Sequence, residues 1–190
     1  MSKLLIKSSQ RVRDLGEVFT PDFLVEKMLD QFPLNTWEPD KNWLEPTCGN
    51  GQFILAIIRR KIASNLLTMK PVRSLMVALN TTFGTDIMAD NISECRGRIY
   101  NEIVVPHWHK HKIRGKIRDD QRWRVACFVM NNIRETKDAL QEDYSKFQHF
   151  ADIGIIDSDL IISSIKTLLT AIDSETEIDS PLYKELLPLR

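Results

Sequence analysis

The feature that most constrains the fold is a strand, a glycine turn and a helix in immediate succession. Residues 43–46 (WLEP) have the apolar character of a short buried strand and stop at a proline. Residues 48–51 (CGNG) follow, and apolar side chains then recur at helical spacing from Phe53 to Leu66. Glycines in such a turn accept positive φ and allow a ligand to approach the backbone. The alternative is a tight βα turn that binds nothing.

A similar alternation of strands and helices continues along the chain. Residues 83–86 (FGTD) resemble the end of a second strand, and apolar residues from Met88 to Ile103 follow at helical spacing. Residues 125–130 are rich in β-branched and aromatic side chains and are predicted as the third strand. A fourth strand is predicted over 153–156 and a helix over 160–172. The alternation favours an α/β fold with a mostly parallel sheet and helices on both faces.

An earlier helix is predicted to begin at residues 20–22 (TPD). Thr20 is a suitable N-cap, Pro21 suits the first turn, and Asp22 favours the positive end of the helix. Its predicted apolar stripe consists of Phe23, Leu24, Met28 and Phe32.

The composition is that of one intracellular globular domain. The chain has 190 residues, with 26 basic and 26 acidic side chains, so net charge alone does not indicate a polyanionic partner. Three cysteines are too few for a disulfide framework, and neither a signal peptide nor a membrane-spanning run is evident. We expect a single cytoplasmic domain over 1–190, with a polar arm (1–15), a basic insertion (106–122) and a tail (174–190).

An acidic residue at each strand end points to a cofactor. Asp86 ends the second predicted strand, about 35 residues after the glycine turn. In a Rossmann-like sheet an acidic side chain at this place receives the ribose hydroxyls of an adenosine cofactor. Glu45, at the end of the first strand, is suited to face a cationic amino group.

Three short motifs together resemble one enzyme family. Residues 16–21 (GEVFTP) resemble a G-x-x-F-T-P segment, 45–51 (EPTCGNG) resemble D/E-P-x-C-G-x-G, and 84–87 (GTDI) resemble G-x-D-I. All three are motifs of adenine-N6 DNA methyltransferases of restriction–modification systems, and they occur in the family's order and roughly its spacing. The resemblance covers about the first half of the chain.

The resemblance implies a Rossmann-like domain that binds S-adenosylmethionine. Residues 19–21 would fold over the methionine part, the glycine turn with Glu45 would hold the amino-acid end, and Asp86 would bind the ribose. Ile87 would pack on the adenine, and Asp138 matches weakly a position that contacts it. For Cys48 a buried thiol without a role is an equal alternative, and for Asp138 a surface position is favoured. The implied cofactor residues are Phe19, Thr20, Pro21, Glu45, Thr47, Cys48, Gly49, Gly51, Asp86, Ile87 and Asp138.

The catalytic part of the family pattern is not found. Adenine-N6 methyltransferases carry N/D-P-P-Y/F/W after the fourth strand, to orient the target amine and stack on the flipped base. Residues 157–160 read DSDL instead, and a helix cap at Ser158 or Asp159 is the favoured interpretation. Catalytic residues therefore stay unassigned. The family has seven strands, so we expect a shortened relative or a chain that works with a target-recognition subunit. A non-catalytic binding module and a methyltransferase acting on RNA or protein remain alternatives.

One stretch of the sequence suits contact with DNA. Seven basic and two acidic residues lie between Lys110 and Arg124. His107, His109 and His111 alternate at its start, but the basic residues Lys110, Lys112 and Arg114 that interleave with and follow them would repel a cation, so we expect a solvated basic loop and no metal site. The tryptophans at 108 and 123 would stack on bases or pack against the sheet.

Overall fold

The computed structural model describes residues 5–113 and 119–137, and over this part the chain is an α/β structure with a three-stranded parallel sheet. The strands are β1 (Trp43–Glu45), β2 (Thr82–Asp86) and β3 (Ile133–Glu135), in that spatial order. Trp43 lies beside Thr82, and Gly84 lies beside Ile133. The carboxyl ends of β1 and β2 therefore meet at one edge, and the prediction of parallel strands is confirmed for these residues.

Helices connect and cover the strands. A short 3-10 turn, Leu34–Trp37, precedes β1, and a π-helical turn, Tyr100–Val104, joins the fifth helix to the sixth. The helices are α1 (Ser9–Leu15), α2 (Asp22–Leu29), α3 (Gln52–Asn65), α4 (Pro71–Asn80), α5 (Ala89–Ile99), α6 (Val105–Lys110) and α7 (Asp119–Asn132).

The two βα units predicted from apolar spacing are confirmed. In α3, Ile54 and Ile58 are at most 1 % exposed, and in α5 the same holds for Cys95 and Ile99. These side chains belong to one apolar cluster that also includes residues of α4, α6 and α7. Burial of this cluster fixes α3 and α5 behind the strand ends. Residues 75–79, an apolar run whose sequence fits either a strand or a helix, belong to α4.

The predicted third strand is wrong. Residues 125–130 lie within α7, and the strand is the short segment Ile133–Glu135 that follows it. Val125, Phe128, Val129 and Asn132 are buried, at the i, i+3, i+4 and i+7 spacing of a helix face. Packing against the core decides this segment, because β propensity mainly reports fit to a half-buried surface.

The predicted buried face of α2 is also wrong. Val25 and Leu29 are buried against Ala56 and Ile57 of α3, whereas Phe23 is 74 % exposed. The other members of the predicted stripe, Leu24, Met28 and Phe32, are exposed as well. The helix carries two apolar rows, and contact with α3 selects the row that the sequence alone did not favour. Pro21, rather than Thr20, occupies the N-cap position, without a side-chain cap bond.

The expected solvated loop over 106–122 is wrong where the structure describes it. His107 and Trp108 of α6 are buried, and the Nε2 of His107 lies 2.9 Å from the carbonyl oxygen of Pro71. The Trp108 ring makes an edge contact with Tyr100, with centroids 6.1 Å apart. Lys110 and Lys112 are exposed. The π-helical turn continues α5 into this segment, so apolar burial extends beyond the predicted boundary.

Several predictions fall outside the described residues. They are the fourth strand (153–156), the helix over 160–172, the segment 157–160, the tail 174–190 and the cofactor residue Asp138. In the described part, the structure contains no helix of the length and apolarity that a membrane crossing requires.

Candidate functional site

A cavity of about 440 Å³ opens at the carboxyl ends of β1 and β2, which is an adequate size for a cofactor. One wall comes from the segment between α1 and α2, and the others come from the glycine turn and the end of β2. The three motifs thus meet around one space. Of the cofactor residues expected from the sequence, Phe19, Thr20, Glu45, Thr47, Cys48, Gly49, Asp86 and Ile87 line it.

The glycine turn is held against the end of β2 by hydrogen bonds. The Cys48 amide donates to the carbonyl of Thr85 at 2.8 Å, and the Thr85 hydroxyl donates to the carbonyl of Pro46 at 2.8 Å. The Gly49 amide donates to Oδ2 of Asp86 at 2.9 Å. These bonds satisfy backbone groups that would otherwise be unpaired at the turn. The turn is therefore preorganised.

Asp86 is a buried acidic side chain of the cavity that is held by several donors. It is 9 % exposed, and its Oδ1 accepts from the amide of Met88 at 2.9 Å and from Nδ2 of Asn91 at 3.3 Å. With the Gly49 amide, three donors hold this carboxylate. An ionised carboxylate has about four acceptor positions. Asp86 thus both cross-links the turn and keeps capacity for a ligand donor.

Gly51 serves packing rather than the cavity. It has φ of 92°, and a Cβ added there would lie 2.5 Å from Sγ of Cys95 and 2.9 Å from Cδ1 of Leu55. Neither Gly51 nor Pro21 is among the described residues that line the cavity. The requirement for glycine at this position arises from α5 and α3 beneath the turn, not from the approach of a ligand.

Residues 5–21 form one cavity wall, and from here on this segment, rather than the range 1–15 predicted from sequence, is called the arm. Gly16 ends α1 in the left-handed conformation, and Phe19 is buried with its ring 3.2 Å from the place where a Cβ of Gly49 would lie. The Phe19 amide donates to the carbonyl of Leu5 at 2.7 Å. The polar arm expected over 1–15 therefore contains a helix, and the chain returns from it across the glycine turn.

Ion pairs attach the arm to α5. Lys7 Nζ lies 2.8 Å from Asp90 and 2.9 Å from Glu94, and Arg11 lies 2.6 Å from Asp90. Burial opposes ionisation of Asp90, but the hydrogen bonds from Arg11 and Lys7 outweigh it and lower its pKa to about 2. The Asp90 side chain is half exposed, so each pair contributes little on its own. Together they hold the arm over the cavity.

Glu17 and Asn91 are two polar residues of the cavity lining that were not among the expected cofactor residues. Glu17 pairs with Arg11 at 2.5 Å, and its Oε2 also accepts from Nδ2 of Asn91 at 3.0 Å. Both residues line the cavity, and both are nine-tenths or more buried. Glu17 lies inside the GEVFTP segment, and Asn91 lies in the first turn of α5, five residues after Asp86. Proximity to these motifs was the available signal.

The cavity wall is acidic. Glu17, Glu45 and Asp86 line it, and none of the described residues in the lining is Lys, Arg or His. Arg11 balances Glu17 from behind the wall. A hydrogen bond with Cys95, and then burial, raise the pKa of Cys48, so its thiol stays neutral and is not an activated nucleophile. This wall suits a cationic ligand rich in hydrogen-bond donors and disfavours phosphate.

The site is a preorganised, acidic cavity without a metal centre in its described part. No group of three or more His, Cys, Asp or Glu side chains is arranged to hold a metal ion in the part of the chain that the structure describes. Glu45 accepts from the amide and the hydroxyl of Thr47, both at 3.3 Å, and is partly exposed.

Comparison with known proteins gives no match for the chain among protein-family models, curated proteins or solved structures.

Proposed function

We propose that the chain is an S-adenosylmethionine-binding domain of a methyltransferase with a Rossmann-like architecture, shortened relative to seven strands. The observation that carries the proposal is the convergence of the three resembling motifs on one cavity. Residues far apart in sequence, from Gly16 to Ile87, contribute to this wall. The parallel order β1-β2-β3, with the cavity at the carboxyl ends of the strands, is where α/β sheets bind their ligands.

The charge of the wall separates this cofactor from other adenosine cofactors. S-adenosylmethionine carries a sulfonium and an ammonium against one carboxylate, so its net charge is positive. Dinucleotides and nucleoside triphosphates carry phosphates, for which the described lining residues offer no basic side chain and Glu45 offers repulsion, whereas Asp86 would meet the ribose of either kind of ligand. An acidic wall without a basic side chain among its described residues therefore supports S-adenosylmethionine over NAD or ATP.

Side chains of the cavity suit several parts of the cofactor. Glu45 would attract the ammonium, and Phe19, which also lines the cavity, would lie over the methionine part. Asp86 is suited to a ribose hydroxyl, and Ile87, which is 48 % exposed, supplies an apolar surface for adenine. The cofactor supplies an activated methyl group. The contribution of this chain is to bind and orient it for in-line attack by an acceptor.

For the acceptor, we propose the N6 amine of adenine in DNA, because the resemblance is to that family. The exposed Lys110 and Lys112 support phosphate contact at this part of the chain. Arg122 and Arg124, which belong to the same predicted basic stretch, lie in α7 and are partly buried.

RNA and protein are the other acceptor classes. Incubation with methyl-labelled cofactor and separate pools of DNA, RNA and protein would identify the acceptor by the pool that gains label.

A second candidate function is a methyltransferase-like binding module without catalysis. It is favoured by one observation, the absence of an N/D-P-P-aromatic tetrapeptide from the sequence. In this case the cofactor still binds, but no pool gains label, with or without added partner subunits. Methylation of adenine in DNA by the purified chain would rule this candidate out.

A ligand panel in a thermal-shift assay tests the cofactor. A ligand that binds only the folded chain stabilises it by about 2.7 kcal/mol at 100 times its Kd, which raises the Tm by several degrees. We expect S-adenosylmethionine and S-adenosylhomocysteine to raise the Tm, and NAD and ATP to leave it unchanged. A rise with ATP or NAD alone would contradict the proposal.

A further inference from the structure

The carboxylate of Glu94 in α5 joins two walls of the cavity. Its Oε2 lies 2.9 Å from Nζ of Lys7 in the arm. Its Oε1 accepts from Nδ2 of Asn50, in the glycine turn, at 2.8 Å. Residues of the arm and of the glycine turn line the cavity, whereas Glu94 is not among the described lining residues. One side chain outside the described lining therefore contacts both walls.

Two contacts with α5 hold Asn50 in the turn. Asn50 lies between Gly49 and Gly51, which both have positive φ, and it is 8 % exposed. Besides its contact with Glu94, its backbone carbonyl accepts from Nη1 of Arg98 at 2.8 Å, one helical turn further along α5. Gly49 lines the cavity, so the position of Asn50 determines that of the lining backbone beside it. A change at Glu94 is therefore transmitted to the cavity.

The first half of the arm is attached to α5 by weak contacts. None of the residues of α1 is buried. The side chains of Lys7 and Glu94 are 24 % and 38 % exposed, and a partly exposed ion pair contributes little by itself. The position of the arm therefore depends on how well the Glu94 carboxylate is already ordered.

We propose that Glu94 is a positioning residue that couples the arm to the glycine turn, so that the two walls of the cavity form together. Ordering a glutamate side chain costs conformational entropy, and the contacts with Lys7 and Asn50 share that cost because they use the two oxygens of one carboxylate. Loss of either contact therefore weakens the other. The consequence for S-adenosylmethionine, which would bind more tightly with both walls in place, rests on the proposed function, but the coupling itself does not.

The first experiment measures the rate of trypsin cleavage after Arg13, in the arm, without a ligand. Asn50→Ala should accelerate this cleavage by about two- to fivefold, because Glu94 then loses one of its two partners. In a Glu94→Ala background, the same substitution should leave the rate unchanged. Mass spectrometry of the products quantifies the cleavage. If Asn50→Ala does not change the rate, or changes it equally in the absence of Glu94, the inference is overturned.

Asp90→Asn is the matched control on α5. Asp90 carries the same charge one helical turn before Glu94 and also binds Lys7, at 2.8 Å, so its loss loosens the arm but leaves the link to the turn in place. In this background Asn50→Ala should still accelerate cleavage after Arg13. Loss of its effect here would mean that Glu94 is not the link.

Ser74→Ala controls for a general loss of stability. The Ser74 hydroxyl is buried and donates to the carbonyl of Ile62 at 2.9 Å, which joins α4 to α3. Its removal should lower the free energy of unfolding without changing cleavage after Arg13. Equal acceleration by Ser74→Ala and Asn50→Ala would show that cleavage follows overall stability, against the inference.

Calorimetric titration of S-adenosylmethionine tests the consequence for the cavity. Lys7→Met and Asn50→Ala should each weaken binding by about two- to fivefold, and the double substitution should weaken it by less than the product of the two losses. A loss equal to the product would refute coupling of the two walls in ligand binding. Absence of binding to the wild type would contradict the proposed function, whereas the cleavage rates would still decide whether Glu94 couples the arm to the turn.

Discussion

The packing beneath the glycine turn gives the sharpest stability prediction, for Gly51→Ala. An added Cβ would lie 2.5 Å from Sγ of Cys95 and 2.9 Å from Cδ1 of Leu55, at a backbone φ of 92°. The positive φ costs roughly 1–2 kcal/mol for a residue with a Cβ. Overpacking of a closed core adds about 1–3 kcal/mol. We expect Gly51→Ala to lower the free energy of unfolding by about 2–5 kcal/mol, a large part of the roughly 5–15 kcal/mol of a typical domain.

Gly16→Ala separates these two contributions. Gly16 also has a positive φ, of 65°, but a Cβ there would have no neighbour within 4 Å among the described residues. It should therefore show only the conformational cost of roughly 1–2 kcal/mol. The difference between the two variants measures the overpacking at Gly51.

Urea denaturation followed by tryptophan fluorescence is the assay, with wild type, both variants and Cys95→Ala compared at equal slope. In the Cys95→Ala background the sulfur is gone, and the cost of Gly51→Ala should fall by about 1–2 kcal/mol. If Gly51→Ala costs no more than Gly16→Ala, or if Cys95→Ala does not reduce its cost, the packing argument is refuted.

Three further predictions follow from single features. Lys61 is fully buried, and burial lowers its pKa to about 8 from the ordinary value of 10.5. Between these two pH values the unfolded chain therefore binds more protons than the folded chain, so the free energy of unfolding rises with pH. Relative to Lys61→Met, we expect this rise to reach about 3 kcal/mol. Denaturation curves at several pH values would check this, and parallel curves for the two proteins would contradict it. The ion pairs that hold the arm against α5 are partly exposed, so salt screens them and Asp90→Asn removes one of them. Each change should accelerate trypsin cleavage near Arg11, by an amount that corresponds to less than about 1 kcal/mol in the free energy of releasing the arm. The three cysteines, Cys48, Cys95 and Cys127, are buried, so iodoacetamide should modify them only after the chain unfolds. Mass spectrometry would report the modification, and rapid labelling of Cys48 in the folded chain would contradict a neutral, buried thiol.

The parts of the fold that sequence predicted correctly are those with strong local signals. The turn from β1 into α3 combines a proline, two glycines and a long apolar periodicity, and all three favour the same strand, turn and helix. The same is true of β2 and α5, where Asp86 ends the strand and the helix keeps a single apolar face. Local chemistry was sufficient for these two units, and they form most of the cavity.

The errors arise where tertiary contact decides between local alternatives. Residues 125–130 have side chains that suit either a strand or a buried helix, and contact with the core selects the helix. In α2, both apolar rows are possible faces, and the approach of α3 selects Val25 and Leu29. Glu17 was overlooked for a related reason, because its place in the cavity lining depends on contacts with Arg11 and Asn91, which no local pattern connects to it.

The most direct test of the central claim is calorimetric titration of S-adenosylmethionine into the wild-type chain, with ATP titrated in parallel. The acidic cavity at the carboxyl ends of β1 and β2 predicts saturable binding of S-adenosylmethionine at one site per chain, and no heat of binding for ATP. Absence of binding at millimolar S-adenosylmethionine would contradict the account, and the glycine turn and Asp86 would then serve only to connect β1, α3 and β2.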